Sequence, residues 1–234
     1  MKNDFSTGLR HGVPIGLGYI SVSFTYGILA AGGGMPIGLV VLMSMTNLTS
    51  AGQFAGTLLL FSSAGYLELL LATMVINSRY ALMSLSLAQK VSAGLSRPHR
   101  ALMSFGITDE TFTVASLEEK EVTFPYMAGL MSIPYLGWAL GTFLGAAADA
   151  LLTPRMQSAA GIALYGMFIA LVLPVAKRSR DVLLVVLLAV AFSTFFRYAP
   201  FLQGLGGGYS MILSAAGASL AGAWLFPKEV EEVA

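Results

Sequence analysis

The sequence predicts an all-α fold: a polytopic membrane helical bundle, one domain throughout, in which some helices are interrupted or re-entrant. Three observations predict it. Of the 234 residues, 56% are apolar and only 11% are Asp, Glu, Lys or Arg, less than half of the roughly 25% that covers a soluble domain. The charges gather into clusters, at Lys2 to Arg10, Lys90 to Arg100, Glu118 to Glu121, Lys177 to Asp181 and Lys228 to Glu232. Between the clusters run apolar stretches near the length of about 20 residues that a hydrocarbon core of about 30 Å requires. No polar segment is long enough to serve as a linker. With no Cys, the chain has neither a disulfide framework nor a thiolate metal site. A net charge of +1 supplies no bulk attraction for nucleic acid.

The elements follow in order. Residues 13–31 form an uncharged span that ends in the turn Gly32-Gly33-Gly34-Met35-Pro36, which reads as a connection between packed helices rather than a cleavage site. Residues 37–61 are apolar but broken by Ser44, Thr46, Asn47, Thr49, Ser50, Gly52 and Gln53, and such a break is tolerated at membrane depth only where protein or an aqueous cavity surrounds it. Residues 66–88 span, carrying Asn77 and Arg79. Residues 101–116 are short and contain Thr108-Asp109-Glu110-Thr111, which marks a broken or re-entrant segment. Residues 124–148 span with Pro134 as an internal kink. Residues 156–174, 182–196 and 204–226 complete the series, the last with Trp224 where an interfacial aromatic belongs.

Lys and Arg in short loops favour the cytoplasmic side. If residues 37–61 and 101–116 both fold back, six full spans place both termini and both basic loops inside. If both cross, eight spans keep the termini inside but move the Lys90 to Arg100 loop out. A seven-span count stands beside these. Gly137, Gly141 and Gly145 share one helical face and predict close approach of a neighbouring helix. There is no direct repeat.

The polar residues within apolar segments are the functional candidates. Asn47, Ser50, Gly52 and Gln53 combine amides, a hydroxyl and a small residue around a chain interruption. That combination suits recognition of a zwitterion, with capping of an interrupted helix or simple packing between helices as the alternative. Arg79, in Asn77-Ser78-Arg79-Tyr80, is costly in hydrocarbon unless it reaches water or an anion. Asp109, Glu110 and Glu68 are its candidate partners. Asp109 and Glu110 are candidates for proton coupling or gating, or for the acidic first turn of a helix capped by Thr108. Arg197, before Tyr198-Ala199-Pro200, is a helix exit or a gate residue.

Enzyme chemistry finds no support. Gly204 to Gly208 lacks the Lys-Ser/Thr ending of a phosphate loop, and the two histidines, His11 and His99, form no cluster. No catalytic residue, metal site or cofactor is expected.

Gly12-Val13-Pro14, Thr49-Ser50-Ala51-Gly52-Gln53-Phe54, Asn77-Ser78-Arg79-Tyr80 and Thr108-Asp109-Glu110-Thr111-Phe112, in this order, resemble the AzlC family of prokaryotic branched-chain amino acid permeases. The resemblance implies a secondary transporter subunit that exports valine, leucine, isoleucine or methionine through the plasma membrane, the inner membrane of a Gram-negative cell. It implies a small AzlD-like membrane protein as partner; the polar residues read above, Asn47, Ser50, Gly52, Gln53, Asn77, Arg79 and Tyr80, are the candidates for the transport path. No nucleotide-binding subunit follows from it. The family pattern commonly has His where this chain has Tyr80, so a titrating imidazole is absent there and coupling falls to Asp109 or Glu110. A channel or carrier for another small solute, or a noncatalytic assembly component, is the alternative.

Overall fold

The computed structural model describes residues 4–92, 94–149, 151–153, 155, 166, 169, 172–174, 176–202 and 206–227. Among the described residues the chain is helical, with a short 3-10 turn at Pro200–Leu202 and a single isolated bridge, Val91 to Val122, in place of any sheet. The helices are α1 Phe5–Gly32, α2 Ile37–Thr46, α3 Ser50–Phe61, α4 Tyr66–Ala88, α5 Arg97–Phe105, α6 Asp109–Ser116, α7 Phe124–Asp149, α8 Arg180–Tyr198 and α9 Gly207–Leu225. Of these, α1, α4, α7 and α8 are long and apolar enough to cross a membrane. The expected span at 156–174 lies, apart from residues 166, 169 and 172–174, outside the described residues.

Helix α1 starts eight residues before the first apolar stretch. Asp4 caps it, accepting from Thr7 N at 2.9 Å and from Thr7 Oγ1 at 3.0 Å, and these donors hold the Asp4 carboxyl below its ordinary pKa. Hydropathy reports the hydrocarbon and not the helix, so the polar first turns of α1 escape it. The stretch 37–61 is two helices separated at residues 47–49, and the region 97–116 is two helices separated at residues 106–108.

The chain divides into two compact units. One comprises Met1–Thr57 and Ile76–Leu164, the other Leu58–Val75 and Tyr165–Ala234. The first is built on α1 and α7, which run in the same direction. Their register is set by glycines: Gly8 lies against Tyr126, Gly12 against Leu130, Gly16 against Ile133 and Gly27 against Thr142. The face expected at Gly137, Gly141 and Gly145 meets α1 at Gly16, Ile20 and Phe24, and a side chain at Gly137 would stand 2.6 Å from the Gly16 carbonyl. In lipid, apolar side chains gain little by leaving the hydrocarbon, so backbone approach of this kind carries the association. A cluster of buried side chains, among them Leu87, Met103, Ile107, Tyr126 and Leu130, closes one end of this unit. Lys90 Nζ accompanies it by donating to the carbonyls of Ser116 at 2.5 Å and Glu118 at 3.2 Å, where a cation meets the negative end of α6.

In the second unit α8 packs with α9. Helix α8 buries none of its residues, and its exposed Leu184, Leu187, Val190 and Phe195 present a surface suited to hydrocarbon.

Candidate functional site

The first chain break is organised by Thr49, the residue before α3. Its hydroxyl accepts from Gly52 N at 3.2 Å and donates to Asn77 Oδ1 at 2.8 Å, which caps the helix and ties it to α4. Gly52 makes this possible. A methyl group there would stand 2.8 Å from Asn77 Oδ1 and 2.9 Å from Thr49 Cγ2. On the other side of the break, Tyr135 of α7 donates to the Met45 carbonyl at 3.1 Å, one of the last-turn carbonyls that a terminating helix leaves without a partner. Asn47 is the residue that ends α2, in an extended conformation, and Ser50 opens α3.

Gln53 is enclosed by packed side chains. It is 1% exposed, and its amide is engaged at both atoms: Nε2 donates to Ser44 Oγ at 2.6 Å and Oε1 accepts from Trp138 Nε1 at 3.0 Å. Ser44 continues the chain to Thr142 Oγ1 at 2.8 Å. A buried network in which each member has a partner fixes the packing of α2 and α3 on α7. These bonds let Gln53 hold the break in position.

The second break is capped by Thr108, whose hydroxyl accepts from Thr111 N at 3.3 Å while Thr111 Oγ1 accepts from Thr108 N at 2.8 Å. This reciprocal pair sets Asp109 and Glu110 in the first turn of α6, at its positive end. Asp109 Oδ2 is 2.5 Å from Arg79 Nη1. Glu110 Oε2 is 2.5 Å from the Tyr19 hydroxyl, which also stands 2.7 Å from Thr108 Oγ1; an ionised carboxylate only accepts, so the tyrosine proton serves Glu110. Arg79 Nη2 lies 3.4 Å from the Tyr80 hydroxyl, the guanidinium carbon is 5.1 Å from that ring's centroid, and Nε is buried without a hydrogen-bond partner among the described residues.

Between the two breaks lies a cavity of about 200 Å³, lined by Asn47, Leu48 and Thr49 from the first, Phe105 and Ile107 from the second, and Asn77 and Tyr80 of α4. Of the residues the sequence singled out, Asn47, Asn77 and Tyr80 line this space; Gly52 and Arg79 support it from behind Thr49 and beside Tyr80. Amides, a hydroxyl and a phenol face the same volume as Leu48, Phe105 and Ile107. Such a lining suits a small solute with a polar backbone and an apolar side chain.

Glu68 and Arg197 belong to the second unit. Glu68 is 8% exposed and accepts from Gly208 N at 2.5 Å, so it holds the start of α9. Arg197 is in the last turn of α8. The sequence reading missed Tyr19, Trp138, Tyr135 and Thr142, aromatic and hydroxyl residues in apolar helices that look like packing until their distant partners are known. It also passed over a group at the other end of α1, where His11 Nδ1 is 2.9 Å from the Tyr126 hydroxyl and 3.2 Å from Glu118 Oε1. Among the described residues no group of three or more His, Asp or Glu side chains could hold a metal ion.

Comparison with known proteins covers this whole site. The AzlC protein family matches residues 14–152. A membrane protein of Archaeoglobus fulgidus, described as uncharacterized, is 33% identical over 175 residues, 74% of this chain and 76% of its own length. The inner membrane protein YgaZ of Escherichia coli K12 is 27% identical over 184 residues, 76% of this chain and 75% of its own. A third, an uncharacterized membrane protein of Helicobacter pylori J99, is 25% identical over 146 residues, 60% of this chain and 62% of its own. No solved structure matches the chain significantly. With the site residues 47–110 inside the matched region and four helices fit to cross a bilayer, the chain belongs to the AzlC family and is a polytopic membrane protein of the permease type.

Proposed function

We propose that the chain is the large subunit of a secondary transporter that exports hydrophobic amino acids, valine, leucine, isoleucine or methionine, across a prokaryotic plasma membrane, with both termini cytoplasmic. The observation that carries this reading is the cavity on which both chain breaks converge, polar at Asn47, Thr49, Asn77 and Tyr80 and apolar at Leu48, Phe105 and Ile107. A zwitterionic backbone finds donors and acceptors on one side and its alkyl group finds hydrocarbon on the other. Arg79 and Asp109, one residue from Tyr80 and two from Ile107, form the charge pair that opens or closes beside the bound substrate. Glu110, held by Tyr19, is the carboxylate that takes up and releases a proton if export is proton-coupled. A small AzlD-like membrane subunit completes the complex, and no nucleotide hydrolysis is involved.

The test is reconstitution of the chain with its candidate small subunit in liposomes, followed by efflux of labelled valine, leucine, isoleucine and methionine. Stimulated efflux of at least one of these, saturable and dependent on both subunits, is expected. Efflux equal to that of empty vesicles for all four, from a complex shown to be assembled, would exclude the reading.

A further inference from the structure

The second unit contains a larger cavity that the transport path above does not use. It measures about 440 Å³, between α8 and α9, and is lined by Ser193, Phe196 and Arg197 on one side and Leu202, Ser210 and Met211 on the other. This is within the range of about 300–1,000 Å³ that small-molecule sites occupy. Its chemistry is one-sided. Arg197 makes no ion pair among the described residues, and the hydroxyls of Ser193 and Ser210 have no hydrogen-bond partner among them either. Among the described residues no acidic side chain lines the space. The nearby carboxylate of this unit, Glu68, is engaged by Gly208 N.

We infer that this cavity binds an amphiphilic anion lacking an ammonium group, a carboxylate or phosphate head on Arg197, Ser193 and Ser210 with its alkyl chain along Phe196, Leu202 and Met211. Three arguments select that class. A guanidinium in the last turn of an apolar helix cannot practically discharge and is stabilised by an anion, and its planar fork matches a carboxylate or phosphate in bidentate fashion. Two idle hydroxyls next to it add donors without adding charge. An amino acid would bring an ammonium group for which this lining offers no carboxylate, so the site discriminates against the substrate proposed for the first cavity. The head group belongs either to a free alkyl carboxylate or to an anionic lipid, and both share this chemistry.

The chain has no cysteine, so Ser193→Cys and Ser210→Cys each place a single thiol in the cavity on a silent background. The full chain carrying either substitution, in phosphatidylcholine vesicles, is labelled with a membrane-permeant uncharged maleimide. Decanoate should slow labelling fivefold or more at both positions, decanol should not, and Arg197→Gln should abolish the protection while Arg197→Lys retains part of it. Protection without decanoate, on replacing a third of the phosphatidylcholine by phosphatidylglycerol, assigns the head group to lipid; protection by decanoate alone assigns it to a free carboxylate. Labelling that neither anion slows, that decanol slows equally, or that is protected to the same extent in Arg197→Gln would overturn the proposal and leave Arg197 as an interfacial anchor. Because protection is read at two independent cysteines in chains that elute as single species, the outcome does not hang on one variant folding.

Discussion

Arg79 of α4 and Asp109 of α6 face each other across an ion pair, Nη1 to Oδ2 at 2.5 Å, one residue from Tyr80 and two from Ile107, which line the cavity where two broken segments meet. Each is about half exposed, so their mutual attraction contributes little to stability and their effect should fall on transport. Arg79→Gln and Asp109→Asn should each lower efflux about tenfold or more, the scale of a lost hydrogen bond to a charged group, while leaving assembly intact. The double variant should be no worse than the poorer single one, because the two groups act as a unit. Additive losses would separate them.

Tyr19 reaches the same helix start from α1. Tyr19→Phe removes the proton that Glu110 accepts and leaves a carboxylate short of a donor, at a cost of about 1–3 kcal/mol. If Glu110 couples export to protons, the pH at which efflux is half-maximal should move in this variant and vanish as a dependence in Glu110→Gln. An unaltered pH profile in both would remove Glu110 from coupling.

Gly52 is expected to be intolerant. Gly52→Ala pushes a methyl group into the Thr49–Asn77 contact and should abolish efflux even though alanine is the better helix former by about 1 kcal/mol. Gly18, with nothing among the described residues within 4 Å of an added methyl group, provides the control: Gly18→Ala should export at the parental rate. Equal tolerance at both positions would show that the first break needs no close approach.

Gly141 tests the α1–α7 pair. Its added side chain would collide with Ser23 Oγ and the Ile20 carbonyl. Gly141→Val should therefore lower the melting temperature of the detergent-solubilised chain, by the ~1–3 kcal/mol typical of overpacking or more, since backbone is the obstacle. A melting curve identical to the parent's would mean the helices can separate without penalty.

Gln53→Leu distinguishes positioning from solute contact. The substitution leaves Trp138 Nε1 without its acceptor and Ser44 without one donor, inside a region the solvent does not reach. Loss of thermal stability should precede or accompany any loss of efflux. A variant as stable as the parent but inactive would return Gln53 to the solute path.

What the sequence disclosed and what it hid differ by the range of the interaction. The break at residues 47–49 was legible because polar and small residues accumulate locally, and Thr108 announced the start of α6 by its spacing to Asp109, Glu110 and Thr111. Arg79 pointed towards an acid because so few charges lie within apolar segments. The role of Gln53 was hidden: its acceptor-side partner, Trp138, is 85 residues away, and an amide in a broken helix looks the same whether it meets solute or indole. Tyr19 was hidden for the complementary reason, since a tyrosine in an apolar helix reads as interfacial until Glu110, 91 residues on, is brought to it. The approach of Glu68 to Gly208 spans 140 residues and had no local signature at all.

The common direction of α1 and α7 imposes a parity on everything between them. Two parallel spans enter from the same leaflet, so the connecting chain must return to its starting face and traverse the bilayer an odd number of times. Helix α4 accounts for one traverse. The segments containing α2–α3 and α5–α6 must then behave alike: both are hairpins that dip in and withdraw, or both go through. A design in which one withdraws and the other goes through would reverse α7 and take Gly137, Gly141 and Gly145 out of register with Gly16, Ile20 and Phe24.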